Sequence, residues 1–176
     1  MAERLKVEHR TAREMEIARQ VQSKLLPQRA PELATLDYAG TCIQARAAGW
    51  VYYDFLELGL GRVGFVLADI AGKGISAALL MANLQAHLRI QSAMLVQDLP
   101  RSLRSVNGMV YESTETDTYA TLFLGVYEDA TGHLCYVNCG HNPPLLLRGG
   151  SANPFAASDC GWERWTTTCC STGLWG

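Results

Sequence analysis

Phe65-Val66-Leu67-Ala68-Asp69-Ile70-Ala71-Gly72-Lys73-Gly74-Ile75-Ser76 decides how this chain is read. An apolar run ends on one carboxylate, a Gly-Lys-Gly turn follows, and a helix begins. This order predicts Asp69 at the exit of a buried strand, where an ionised carboxylate without a partner is very costly. A bound cation would supply that partner. A turn amide, or the first amides of the next helix, would supply it as well. The twelve residues alone leave both readings open. Nucleotide binding at Gly72-Lys73-Gly74 fails on spacing, because a P-loop has Gly-x-x-x-x-Gly-Lys followed by Ser or Thr. Lys73 is read as an ordinary solvated turn lysine.

Working outward, strands are expected over residues 38–44, 52–58 and 62–69, the last two joined by Gly59-Leu60-Gly61, a hairpin signal. A long helix is expected over residues 75–96, with Leu80, Leu84 and Leu88 on one stripe. Asp98 before Pro100 predicts the cap of a further helix reaching Glu112. Strands over 121–127 and 134–139 flank the turn Asp129-Ala130-Thr131-Gly132, and 145–147 is a further strand. Upstream, residues 1–26 read as a charged helix with Ile17, Val21 and Leu25 at four-residue spacing, ended by Pro27 and Pro31. From Ser151 onward no helix or strand period is evident. Strands, then helices, then strands define an α+β layered domain rather than a doubly wound parallel sheet.

Three further stretches carry a family resemblance. Gly49-Trp50-Val51-Tyr52-Tyr53-Asp54-Phe55 resembles a Gly-Gly-Asp-Tyr-Tyr-Asp-Phe motif, with Trp50 and Val51 in place of its second glycine and first aspartate. Asp69 to Gly74 resembles an Asp-x-x-Gly-x-Gly turn, and Gly140-His141-Asn142-Pro143-Pro144 resembles a Gly-His-Asn-Pro-Pro loop. Glu16 to Pro27 resembles the linker helix that precedes such domains. Together, over about residues 14 to 148, they resemble the metal-dependent PPM-type serine/threonine phosphatases, in the sporulation-stage-II-E-like branch that controls sigma factors.

The resemblance implies a layered antiparallel β-sandwich flanked by helices, here C-terminally incomplete. It divides the chain into a linker helix (1–30), a phosphatase-like domain (31–150) and an atypical tail (151–176). It further implies Mn²⁺ or Mg²⁺ ions, two in the family, that activate a water to attack a phosphoserine or phosphothreonine, so no protein nucleophile is expected. Matched residue by residue, Asp69 is the aspartate expected on the metal and Ile70 the backbone carbonyl ligand. Gly72 and Gly74 form the structural turn of the site. His141 takes either a loop-holding role or that of a general acid. Two departures count against catalysis. Val51 cannot coordinate a metal, and the family's C-terminal Asp-Gly motif is not recognisable, Asp159-Cys160-Gly161 being a poor match. Asp54 points opposite to position 51 on a strand, so only a bulge would let it substitute. Trp50 adds bulk beside the site.

The implied function is therefore hydrolysis of a phosphorylated regulatory protein such as an anti-sigma-factor antagonist, impaired by lost ligands. The alternative is an inactive relative that binds a partner or forms a homodimer through the N-terminal helix. With 48% hydrophobic and 18% charged residues in 176, the chain supports a globular core. A net charge of −2 gives no electrostatic case for nucleic acid. No run approaches the ~18 apolar residues of a membrane span, and the charged N-terminus lacks a signal-peptide core, so the expected compartment is the cytoplasm. Cys135 and Cys139 with His133 and His141 nearby do not make a zinc framework, which needs about four convergent ligands. Reduced core thiols are expected instead.

Overall fold

The computed structural model describes residues 2–43, 50–72, 74–113, 119–148, 150–154 and 173–174. In chain order the elements are α1 (Ala2–Leu25), β1 (Trp50–Gly59), β2 (Arg62–Ile70), α2 (Gly74–Ile90), α3 (Ser92–Gln97), α4 (Leu99–Glu112), β3 (Ala120–Glu128), β4 (His133–Cys139), β5 (Leu145–Arg148), β6 (Ser151–Pro154) and β7 (Gly173–Leu174). The main sheet is antiparallel with spatial order β1-β2-β3-β4-β7, and β5 and β6 form a separate two-stranded sheet. The α+β class and the antiparallel sheet flanked by helices are as expected.

Alternation along the strands sorts the side chains onto two faces. Trp50, Tyr52 and Leu56 on β1, Val66, Ala68 and Ile70 on β2, and Leu122 and Leu124 on β3 enter one core with Leu84 and Leu88 of α2 and Leu103 and Val106 of α4. Met81, Leu88, Leu103 and Leu124 are completely shielded, each contributing about 1.5–3 kcal/mol of hydrophobic stabilisation. α1 joins this layer by packing on α2, with Ala18 inserted into the core.

Both turn signals become hairpins. Gly59, Leu60 and Gly61 have φ of 74°, 53° and 68°, so the left-handed stretch uses glycine on both sides of its one leucine. Asp98 caps α4 by accepting from the amide of Arg101 at 2.9 Å, with Pro100 in the first turn.

Three expectations are corrected. Residues 38–43 are not a strand; they form a strap held by side chains instead of a ladder, and Gln44 lies outside the described residues. The Tyr38 ring meets Phe55 and Phe65 edge-on at 4.8 and 5.0 Å, and its hydroxyl donates to Pro31 O. Just upstream of the strap, Asp129 accepts from the amides of Ala34 and Thr35, each at 2.8 Å. Those two amides and the Thr35 hydroxyl hold the Asp129 carboxyl below its ordinary range. The single helix expected over 75–96 breaks at Gln91, whose side chain donates to Ser105 Oγ at 2.9 Å. The break turns α3 so that Leu95 joins the core against α4. Finally, residues 151–154, read as patternless, form β6 by pairing with β5 from Leu145↔Pro154 to Arg148↔Ser151.

Candidate functional site

The register places Val51, Asp69 and Thr121 side by side on three neighbouring strands, through the pairs Val51↔Asp69 and Asp69↔Thr121. All three project from the sheet face opposite the helices, where Val51 and Asp69 are exposed and Thr121 is half-buried. No hydrogen bond or ion pair engages the Asp69 carboxylate among the described residues, so the helix-cap reading finds no support there. β2 ends at Ile70, on the last rung between Trp50 and Ala120. The turn that follows bends through Gly72 and Gly74, whose φ values of 133° and 72° suit glycine. Lys73 lies outside the described residues.

His141 reaches this row from the loop after β4. Gly140 bridges to Leu122, and the buried Asn138 clasps the loop from both sides. Its Oδ1 accepts from the His141 amide at 2.9 Å and its Nδ2 donates to the His141 carbonyl at 3.0 Å. The imidazole Nδ1 then sits 2.8 Å from Thr121 Oγ1. Burial holds the His141 imidazole below its ordinary value, and the negative charge of Asp69 opposes that shift. A histidine whose pKa is depressed by folding contributes stability that is complete above its unfolded pKa, 6.5, and is lost as pH falls through the folded value. The His141 contribution to stability should therefore be flat from pH 7 to 8 and decline below about 6.5. An NMR titration of His141 checks the cause, because Asp69→Asn should move the midpoint further down. A midpoint that rises in that variant would show that another group controls the imidazole.

Asp54 is elsewhere. Parity is unbroken between 51 and 54, the one register shift of β1 lying between Glu57 and Gly59, so Asp54 points into the helix layer. There it is 0% exposed and accepts from Tyr52 Oη at 2.8 Å, Phe55 N at 2.9 Å, and Arg89 Nε and Nη2 at 3.0 and 3.1 Å. Burial and this carboxylate push the Tyr52 phenol far up, so it remains a donor. Trp50 also points into the core, at 4% exposure, and adds no bulk over Asp69, contrary to expectation. On β4, Cys135 is half-buried and Cys139 buried.

The sequence reading missed three residues. Arg89 has no local signal, lying thirty-five positions from Asp54. Gln22 of α1 donates to the Val51 carbonyl at 2.9 Å, a contact that only helix docking creates. Asn138 alone was legible, as an Asx-type residue three before the histidine of a turn.

Among the described residues the ligands of a two-metal centre are not assembled. The row offers one side-chain carboxylate, and no group of three His, Cys, Asp or Glu side chains able to hold an ion occurs among the described residues. Asp159 lies outside them.

The fold is that of a PPM-type phosphatase domain. A family model described as stage II sporulation protein E (SpoIIE) matches residues 59–160, more than half the chain, which belongs to that family. The chain is 29% identical to phosphoserine phosphatase RsbU of Bacillus subtilis strain 168 over 151 residues, covering 77% of this chain and 42% of that protein. It is 28% identical to protein IcfG of Synechocystis sp. over 161 residues, covering 76% of this chain and 25% of the relative. The crystal structure of the RsbU and RsbW domains of Rv1364c from Mycobacterium tuberculosis matches with TM-score 0.64 and 28% identity, over 76% of this chain and 38% of that one. The PP2C phosphatase domain of SpoIIE from Bacillus subtilis shares the fold at TM-score 0.55 and 18% identity, over 72% of this chain and 38% of that one. The chain spans less than half the length of these proteins.

Proposed function

We propose that this chain is a serine/threonine phosphatase domain that engages a phosphorylated regulatory protein in sigma-factor control, with its metal-dependent hydrolysis impaired. The observation that carries the impairment is Val51, which stands directly across from Asp69 where the matched motif has an aspartate. Family membership and the relative named a phosphoserine phosphatase support the substrate class. In this reading Asp69 and the backbone carbonyl of Ile70 hold one Mn²⁺ or Mg²⁺ weakly. One carboxylate has little to offset the dehydration of Mg²⁺, which gives up water reluctantly. Gly72 and Gly74 shape the turn, and His141 holds the loop or serves as acid. Residues 1–30 act as a linker helix, 31–150 as the phosphatase-like domain and 151–176 as a tail. The domain works in the cytoplasm; no helix among the described residues is long and apolar enough to cross a membrane.

A second reading, an inactive binding module that dimerises through α1, draws on Ile17 and Val21, which are 47% and 38% exposed on that helix. Calorimetry with Mn²⁺ and turnover of a phosphoserine peptide, on the parent chain and Asp69→Ala, separate the two. Weak binding and slow Mn²⁺-dependent turnover, both lost in Asp69→Ala, are the expected result. Absence of heat and turnover in both proteins selects the second reading, and efficient turnover refutes the impairment.

A further inference from the structure

β1 is the outer strand of the sheet, and two hydrogen bonds fix which way its backbone points. Gln22 Nε2 takes the Val51 carbonyl and Asp54 Oδ1 takes the Phe55 amide, each at 2.9 Å. Neither group is spent on β2, so Val51, Tyr53, Phe55 and Glu57 turn their N–H and C=O outward, as alternate residues of an antiparallel edge do. α1 covers the Val51 end of this edge. At the other end, no group outside the sheet ladder meets the Phe55 carbonyl or the Glu57 backbone among the described residues.

An open edge is a template for a further strand, and proteins usually cover or blunt it. Here it forms one wall of a cleft of about 660 Å³, bounded opposite by the end of α1, the 27–31 segment and the α2–α3 break. Such a volume is in the range of ligand sites, roughly 300–1,000 Å³. The cleft carries Lys24, Arg29 and Arg89 against Glu57 and Asp54, and Arg89 already neutralises Asp54. Lys24 and Arg29 make no ion pair among the described residues, and both are exposed.

We propose that this cleft takes an extended, acidic peptide segment of a partner protein, which adds to the sheet as a strand outside β1. The Phe55 carbonyl and the Glu57 backbone supply main-chain hydrogen bonds, and Lys24 and Arg29 select for carboxylate side chains. The site lies on the helix side and edge of the sheet, away from the Asp69 face, so it stands whether or not the domain hydrolyses phosphate.

The test is ¹⁵N NMR of the full chain with three blocked hexapeptides. One alternates Glu and Val, one alternates Lys and Val, and the third is the Glu-Val peptide with alternate amides N-methylated. The Glu-Val peptide should shift the Phe55 and Glu57 amides, and added salt should weaken it. The Lys-Val and N-methylated peptides should leave those amides unmoved. The double variant Lys24→Glu/Arg29→Glu, at two exposed positions, should bind the Glu-Val peptide on the order of tenfold more weakly or worse. Equal binding of all three peptides, shifts mapping away from β1, or an unaffected double variant would overturn the proposal.

Discussion

Val51→Asp is expected to bind Mn²⁺ at least about tenfold more tightly than the parent chain. Residues 51 and 69 are direct cross-strand partners, and the outward Val51 carbonyl marks a non-hydrogen-bonded pair, the type in which side chains approach most closely. An aspartate at 51 therefore places a second carboxylate beside Asp69 without moving the backbone. In the absence of metal, two like charges at this distance repel, at a cost of about 0.2–1 kcal/mol. The variant should thus melt slightly below the parent in chelator and above it in Mn²⁺. Ligand linkage amounts to about 2.7 kcal/mol when free metal exceeds Kd a hundredfold. Calorimetry and melting with and without Mn²⁺ read both signs. An affinity equal to the parent's would mean that Val51 is not the missing ligand.

Arg89→Met should be among the most damaging single changes, costing about 3–5 kcal/mol. The argument rests on asymmetric burial: the Asp54 side chain is 0% exposed while that of Arg89 is 54% exposed. Removing the guanidinium leaves a fully shielded carboxylate without its cation, and only Tyr52 and the Phe55 amide remain to hold it. Asp54→Asn should cost less, about 1–3 kcal/mol, because the freed guanidinium can turn outward into solvent. For a chain of this size these figures correspond to about 2–4 °C of Tm per kcal/mol. Urea unfolding of both variants decides the matter. If Asp54→Asn proved the worse of the two, the pair would be held by something other than burial of the carboxylate.

The contrast between Asp69 and Asp54 shows where sequence reading stops. Both aspartates sit in apolar strand context, and strand parity alone separated Asp54 from position 51. Parity did not reveal that the far face is sealed by Arg89, because that contact closes between β1 and the last turn of α2. Trp50 shows the same limit in reverse. Motif alignment put its bulk beside the site, whereas the pleat sends it into the core. The break at Gln91 was invisible because neither glycine nor proline marks it, and the hydrophobic stripe runs on to Leu95 regardless. Residues 38–43 have strand-like composition, yet the aromatic contacts of Tyr38 and the Tyr53 hydroxyl on the Gly40 carbonyl hold them as a strap.

The chain alone carries the α+β order of elements, both hairpins, the Asp98 cap and the family, and it has valine at position 51 where the motif it resembles has aspartate. These are local facts, written in periodicity, turn residues and contiguous motifs. The fold adds that Val51 faces Asp69, that Thr121 and Asn138 bring His141 beside them, that Asp54 is neutralised by Arg89 and that, among the described residues, one end of β1 stays open. Each of these depends on register or docking between segments distant in the chain, where stability comes from contacts that no single stretch of sequence contains.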